Sequence, residues 1–146
     1  MPVKKENRAR YPKNWNEIRT SILGRANNRC EFCKAENRTL IVRGTGKHIG
    51  TYHTIDERIF CAKTGQELTG ICQTAADYEN TGKAIEVVLT IAHLDHTPEN
   101  CDPANLKALC QKCHLDYDRS HHLKNAALTR ASKKNAGADL FTGGAA

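Results

Sequence analysis

The chain has 146 residues, of which 39% are hydrophobic and 5% aromatic, and its formal net charge is +6. This length suits one domain with a modest core, which a bound metal ion would help to stabilise. No apolar run approaches the roughly 18 residues of a membrane span, and the polar, basic N-terminus does not resemble a signal peptide. We therefore expect a cytoplasmic protein, and the positive charge favours a polyanionic partner such as nucleic acid.

The N-terminal sequence predicts a basic arm followed by a helix. Residues 1–13 are rich in lysine and arginine, which predicts a flexible arm that either contacts phosphates or serves solubility. Asn14 and Glu17 form a capping-box pattern, and apolar residues then recur at helical spacing. The helix should end at Asn27 and Asn28.

The region of about 34–86 predicts a β-rich insertion of irregular hairpins. Apolar runs between glycine-containing turns predict short strands and one short helix, at 39–42, 48–52, 59–62 and 74–80. Two cysteines and two histidines of this region have no spacing typical of a metal site, so we expect buried thiols and surface imidazoles: Cys61, Cys72, His48 and His53. The β-branched run at 85–91 then predicts a clear strand.

Four of the seven cysteines form two Cys-x-x-Cys pairs, Cys30, Cys33, Cys110 and Cys113. In a reducing compartment such pairs are typical of metal sites rather than disulfides. The two-residue spacer lets both thiolates of a pair point into one tetrahedral site, which zinc prefers. We predict one structural zinc site that ties the N-terminal helix to the C-terminal region. A redox pair is disfavoured because no thioredoxin-like βαβ pattern surrounds Cys30.

A second set of potential ligands follows the 85–91 strand: Asp95, His96, Asn105 and His114. Asp95 offers oxygen and His114 offers nitrogen, and this mixed pair suits a divalent ion such as Mg²⁺, Mn²⁺, Ni²⁺ or Zn²⁺. His96 can accept a proton from an attacking water, and Asn105 can hold the loop by hydrogen bonds. These residue types suit hydrolytic chemistry on a phosphodiester, and ordinary surface or packing roles are the alternative.

Three further residues are candidate ligands for the same ion. In an extended strand, His93 lies on the same face as Asp95. On a helix that begins near His114, Asp118 and His121 share its face.

The segments Asp95-His96, Asn105-Leu106 and Leu109-Cys110-x-x-Cys113-His114 resemble the signature of HNH endonucleases. The resemblance is to small phage and bacterial HNH proteins with paired Cys-x-x-Cys zinc knuckles. It covers residues 92–122 well and 15–33 more loosely, and it does not cover the insertion. It implies an α+β fold with a ββα-metal (His-Me finger) core. The two strands would run from about Ile85 and over 106–109, and the helix would begin at Cys113.

The resemblance also implies residue roles. Asp95 and His114 would bind the catalytic divalent ion, His96 would act as general base, and Asn105 would be the middle residue of the motif. The substrate would be double-stranded DNA, nicked or cut through both strands, and the resemblance allows a partnership with a phage packaging complex in a bacterial or infected host cell.

One departure from the family pattern concerns substrate contacts. Tyr117 stands where many relatives have lysine, so we expect other cations to contact the DNA backbone: Arg119, Lys124 and Lys107.

The predicted organisation is a basic arm over 1–13, a nuclease domain over 14–130 and a flexible tail over 131–146. The alternative is a non-catalytic, zinc-stapled nucleic-acid-binding or assembly module. It shares the cysteines and the charge but does not need Asp95, His96, Asn105 and His114 to converge.

Overall fold

A computed structural model describes residues 5–69 and 83–139, with side chains over 7–69 and 83–134. The predicted helix at 74–80 and Cys72 lie outside the described residues. The chain forms two compact units, Met1–His114 and Leu115–Ala146. The described residues form two α-helices and two antiparallel sheets, which confirms the prediction of a mixed helix-and-sheet protein.

The first helix, α1, spans Trp15–Arg25. Asn14 occupies the N-cap position, but its side chain accepts no hydrogen bond from the described helix, so the predicted capping box is wrong. The backbone carbonyl of Asn14 accepts the first helical hydrogen bonds instead. The predicted end is confirmed because Asn27 and Asn28 adopt left-handed φ values of 49° and 54°, which asparagine tolerates better than most residues.

The segment before α1 contacts the loop that follows residue 93. Lys5–Arg10 forms a 3-10 helix. The Arg10 guanidinium donates hydrogen bonds of 2.6 and 2.9 Å to the two carboxylate oxygens of Glu99. The Tyr11 ring meets the His93 imidazole edge to face at 5.8 Å. The C-terminal end of the predicted basic arm is therefore in contact with the rest of the first unit, while the flexibility of residues 1–13 stays a prediction.

The insertion contains a regular four-stranded antiparallel sheet, not the irregular hairpins that its sequence predicts. The strands are β1 (Leu40–Arg43), β2 (Thr51–Thr54), β3 (Ile59–Cys61) and β4 (Ala84–Glu86), in the order β3-β2-β1-β4. The strand predicted over 48–52 begins later, because Gly46–His48 forms a 3-10 helix. Ile41 and Tyr52 are almost fully buried, so these strands contribute to the core.

The prediction of one strand over 85–91 is wrong. Residues of this run belong to β4 and to a separate strand, β5 (Leu89–His93), which pairs with β6 (Leu106–Cys110) in a second antiparallel sheet. The change of sheet occurs at the buried residue Val87. Its N–H donates to the Thr39 carbonyl, and its own carbonyl accepts from the Arg38 N–H at 2.7 Å. Local β propensity does not reveal such a change, because the pairing partners are distant in sequence.

The second helix, α2, follows β6 directly and spans Gln111–Asp139. It begins two residues before the predicted Cys113. The tail predicted from residue 131 therefore starts as helix, in a stretch that contains several alanines, the strongest helix formers. Among the described helices, none combines the length and the apolar character needed to cross a bilayer.

Gly65 is the position where the fold most clearly requires glycine. Its φ is +72°, and a Cβ there would lie 2.4 Å from Cβ of Lys34 and 2.9 Å from the Cys33 carbonyl oxygen. We expect Gly65→Ala to lower the free energy of unfolding by about 1–3 kcal/mol, measured by urea denaturation. Gly24→Ala is the control, because a Cβ at Gly24 meets nothing within 4 Å and alanine should add about 0.5–1 kcal/mol in a helix. A neutral or stabilising Gly65→Ala would contradict this packing.

Candidate functional site

Four cysteine sulfurs converge in the first unit. The Sγ atoms of Cys30, Cys33, Cys110 and Cys113 all lie within 4.8 Å of one another. The Sγ atoms of Cys33 and Cys110 are 3.7 Å apart, and every member except the half-buried Cys113 is fully buried. The predicted grouping is confirmed. Four buried thiolate donors at these distances could hold a structural metal ion such as zinc.

The backbone around the first Cys pair forms the turn that a metal knuckle needs. The Cys30 N–H donates to the Ala35 carbonyl, and the Lys34 N–H donates to the Cys30 carbonyl, both at 2.9 Å. Lys34 adopts a left-handed φ of 60° to close the turn. The Cys110 N–H donates to the Cys30 sulfur at 3.4 Å, an interaction that stabilises negative charge on sulfur.

Sulfur-to-sulfur contacts also affect ionisation in the cluster. The hydrogen bond from Cys113 lowers the pKa of Cys110, with further contributions in the same direction from Cys30 and Cys33. The same contact with Cys110 raises the pKa values of Cys33 and Cys113. The arrangement therefore favours a thiolate, the form that binds metal, at Cys110 rather than at all four sulfurs.

Glu31 joins the first knuckle to β6. Its N–H donates to the Ala108 carbonyl at 2.9 Å, and its Oε2 accepts from the Ala108 N–H at 2.7 Å. The Arg25 guanidinium donates to Glu31 and also to the carbonyl oxygens of Leu106, at 2.6 Å, and Pro103, at 2.7 Å. Sequence reasoning missed both residues. The position of Glu31 between Cys30 and Cys33 was a weak indication of a role at the metal site. The sequence around Arg25 gave no indication of its contacts.

The second predicted cluster is built on a closed loop between β5 and β6. Asn105 donates from Nδ2 to Oδ1 of Asp95 at 2.9 Å and accepts at Oδ1 from the Asp95 N–H at 3.1 Å. Asn100 donates to Oδ2 of Asp95 at 2.8 Å, and the Thr97 N–H donates to Oδ1 at 2.9 Å. These donors lower the pKa of Asp95 to about 2, Asn100 and then Asn105 contributing most. The carboxylate is therefore ionised and fixed at neutral pH.

His114 lies in the first turn of α2, directly after Cys113. Its Nδ1 is 2.7 Å from Oγ1 of Thr90, and the Thr90 hydroxyl can donate to the Leu109 carbonyl at 3.3 Å. If the hydroxyl proton points to that carbonyl, the hydroxyl accepts from Nδ1–H, and the lone pair of the neutral ring is on Nε2. This is the tautomer of a metal ligand whose other ring nitrogen is held by a hydrogen bond.

His93 ends β5 and is mostly buried. Its imidazole stacks on Trp15 at 5.3 Å with an interplanar angle of 17°. Burial lowers the pKa of His93, while the charge of Asp95 raises it and that of His114 lowers it. Burial, the largest of these effects, favours the neutral form of His93.

His96 follows the turn at Asp95 and is half-buried. Its φ is +57°, and its N–H donates to the His93 carbonyl at 3.1 Å. The strand β5 ends at His93, so Asp95 and His96 belong to the turn that follows it. The prediction that His93 and Asp95 share one face of a strand is therefore wrong.

The remaining candidates have local partners of their own. Lys107 lies 3.9 Å from Glu31, which ties it to the first knuckle. In the second unit, Arg119 donates to Asp116 at 2.6 Å, and Lys124 is exposed. The two predicted ligands on this helix also have neighbours four residues away. Oδ2 of Asp118 lies 3.8 Å from Nε2 of His122, and Nδ1 of His121 lies 3.3 Å from Nδ2 of Asn125.

Comparisons with protein-family models, curated proteins and solved structures found no match to this chain. The HNH resemblance accordingly depends on the residues quoted from the sequence. Among the described residues, the four cysteines form the one group of three or more Cys, His, Asp or Glu ligands whose atoms lie close enough together to hold one ion. The predicted site residues His93, Asp95, His96 and His114 do not form a group of three at these distances.

Loss of one cluster ligand should destabilise the whole first unit. We expect Cys110→Ser to lower the unfolding midpoint strongly and to abolish tight retention of one zinc per chain, since binding free energy of a structural zinc is on the order of 10 kcal/mol. Thermal unfolding and metal content measured after dialysis provide the test. Cys61→Ser is the matched control, because Cys61 lies outside the cluster. Wild-type stability of Cys110→Ser would contradict a structural role.

The hydrogen bonds to Asp95 predict an acid limit for the loop. The folded pKa, about 2, is below the ordinary 3.8. The stabilisation is therefore fully present above the ordinary value and is lost as pH falls toward 2. NMR titration of the carboxyl carbon should give the low pKa, and Asn100→Ala should move it upward. A wild-type value near 3.8 would show that these hydrogen bonds do not form.

Proposed function

We propose that this protein is a metal-dependent HNH-type endonuclease that hydrolyses DNA phosphodiester bonds on a ββα-metal core. In this proposal, the cysteine cluster holds zinc and keeps the core folded. The core consists of β5, β6 and the start of α2. The chemistry belongs to Asp95, His96, Asn105 and His114.

One observation carries the proposal. The β5–β6 loop fixes an ionised Asp95 through Asn105, and the next element presents His114 with Nδ1 held by Thr90. A hairpin followed at once by a helix is the order of elements that a ββα-metal site requires.

The ligand chemistry suits a divalent ion. Oδ1 of Asp95 accepts two hydrogen bonds and Oδ2 accepts one from Asn100, so Oδ2 keeps capacity for an ion. In the tautomer with the proton on Nδ1, His114 would supply Nε2 as the nitrogen ligand. An ion held there would polarise the phosphate and stabilise the leaving oxygen. Two protein ligands leave room for phosphate oxygens and water, as Mg²⁺ prefers.

A general base must be neutral at the working pH and must reach the water. His96 is assigned this role by the resemblance. His93 is a second candidate because burial favours the neutral form of its imidazole and because it ends the strand that leads into the Asp95 turn. Single substitutions of His96 and His93 show which of them is the base, since loss of the base should lower the cleavage rate about 10²- to 10⁴-fold.

DNA binding would rely on charge rather than on base recognition. The chain carries a net charge of +6, and phosphate contacts supply most of non-specific affinity. Arg119, Lys124 and Lys107 are the proposed contacts. Arg119 has 71% of its side chain exposed despite its ion pair with Asp116, so its guanidinium can exchange that partner for a phosphate.

One observation favours the non-catalytic alternative, a zinc-stapled nucleic-acid-binding or assembly module. Within the described part of the chain, the hydrogen bonds to the Asp95 carboxylate come from its own loop, so the carboxylate can be explained as a loop anchor. The same plasmid assay distinguishes the two functions.

The deciding experiment is plasmid nicking with Mg²⁺, Mn²⁺ or Ni²⁺ and an EDTA control. We expect metal-dependent conversion of supercoiled plasmid to open circles. His114→Ala should abolish it, and either His96→Ala or His93→Ala should reduce it at least about 100-fold. His122→Ala serves as control, because this histidine is not among the residues proposed for the chemistry and has a partner on its own helix, Asp118.

Zinc content and unfolding midpoint are measured for each variant, so that loss of folding is not mistaken for loss of chemistry. DNA binding without cleavage in any metal would favour the alternative. Full activity of His114→Ala would overturn the proposed metal site.

A further inference from the structure

Arg43 connects the four-stranded sheet to the cysteine cluster. It is the last residue of β1, and its guanidinium donates from Nη2 to the Cys110 sulfur at 3.3 Å. Nε and Nη1 of the same group are buried and have no hydrogen-bond partner among the described residues. The sulfur cluster is therefore the principal polar neighbour of this cation in the described part of the chain.

Arg43 is half-buried, and its solvent-shielded Nε and Nη1 atoms need an explanation in terms of charge. Arginine stays protonated in proteins, and a buried cation without an anionic partner is strongly destabilising. Four thiolates around a divalent ion carry a net charge of −2, and that anion is also buried. Each charge therefore offsets the desolvation of the other, and the N–H···S contact is a charge-assisted hydrogen bond.

The strand register gives the same sheet a second contact with the cluster. Arg43 lies opposite Tyr52 in the β1–β2 pairing, and side chains of opposite residues project from the same face of a sheet. The Tyr52 hydroxyl donates to the Cys33 carbonyl at 2.9 Å in a buried position. This pair of opposite residues therefore contacts both Cys-x-x-Cys pairs: Arg43 contacts Cys110, and Tyr52 contacts Cys33.

We infer that Arg43 is a positioning residue of the metal centre: it compensates the charge of the metal-bound thiolates and couples metal retention to the four-stranded sheet. The inserted sheet is then part of the metal site. This inference rests on the four-cysteine site and does not require nuclease activity.

The test uses the full-length zinc protein and three variants. Arg43→Met removes the charge and keeps much of the length, and Arg43→Lys keeps the charge without the planar group. Arg38→Met is the matched control, because Arg38 lies just before β1 with 67% of its side chain exposed and pairs with Glu86. Zinc release to a chromogenic chelator is followed for each protein.

We expect Arg43→Met to release zinc about 10- to 100-fold faster than the wild type, as for loss of other outer-shell partners of metal ligands. Arg43→Lys should fall between the two, and Arg38→Met should match the wild type. If Arg43→Met does not fold, Arg43→Lys carries the comparison. Wild-type release rates in every variant that folds would overturn the inference.

Cobalt substitution separates charge compensation from simple packing. Loss of the hydrogen bond that the Cys110 sulfur accepts from Arg43 makes this sulfur a better electron donor. The sulfur-to-cobalt charge-transfer band of Arg43→Met should therefore move to lower energy. A packing defect alone would leave the band in place, and an unchanged band in a variant that binds cobalt would overturn the role of Arg43 as a charge partner.

Discussion

The convergence of four sulfurs is the constraint on which the rest of the first unit depends. It joins Cys33 to Cys110, residues 77 positions apart, in a chain with few aromatic residues to build a core. The binding free energy of a structural zinc, on the order of 10 kcal/mol, is comparable with the whole net stability of an ordinary domain, about 5–15 kcal/mol. Folding of this unit and binding of the ion are therefore expected to be one process.

The same constraint determines where the proposed chemistry lies. Cys110 ends β6 and Cys113 lies in the first turn of α2, so His114 follows a cluster ligand directly. Arg25 bonds to the carbonyl oxygens on both sides of Asn105, those of Pro103 and Leu106. Arg25 thus holds the loop of Asp95 to α1. The precision of a hydrolytic site at this loop would depend on the fold that the cysteine cluster stabilises.

The residues with local signals were predictable from the sequence, and those with distant partners were not. The Cys-x-x-Cys spacing identified all four sulfurs, and paired asparagines marked the end of α1. The split of the 85–91 run and the order of the four-stranded sheet depend on pairing between distant segments, which β-branched composition does not encode. Arg25 and Arg43 were missed for the same reason. Their hydrogen-bond partners lie 81 and 67 positions away in the sequence, and no local sequence pattern indicates which distant residue an arginine contacts.

The central claim is that one exchangeable divalent ion binds between Asp95 and His114, apart from the ion in the cysteine cluster. Paramagnetic line broadening by Mn²⁺ tests it most directly, with the zinc-loaded protein observed by NMR while Mn²⁺ is added. The account predicts saturable broadening centred on residues 93–105 and His114, which His114→Ala weakens. Broadening that is absent from this region, or unchanged in His114→Ala, would contradict it.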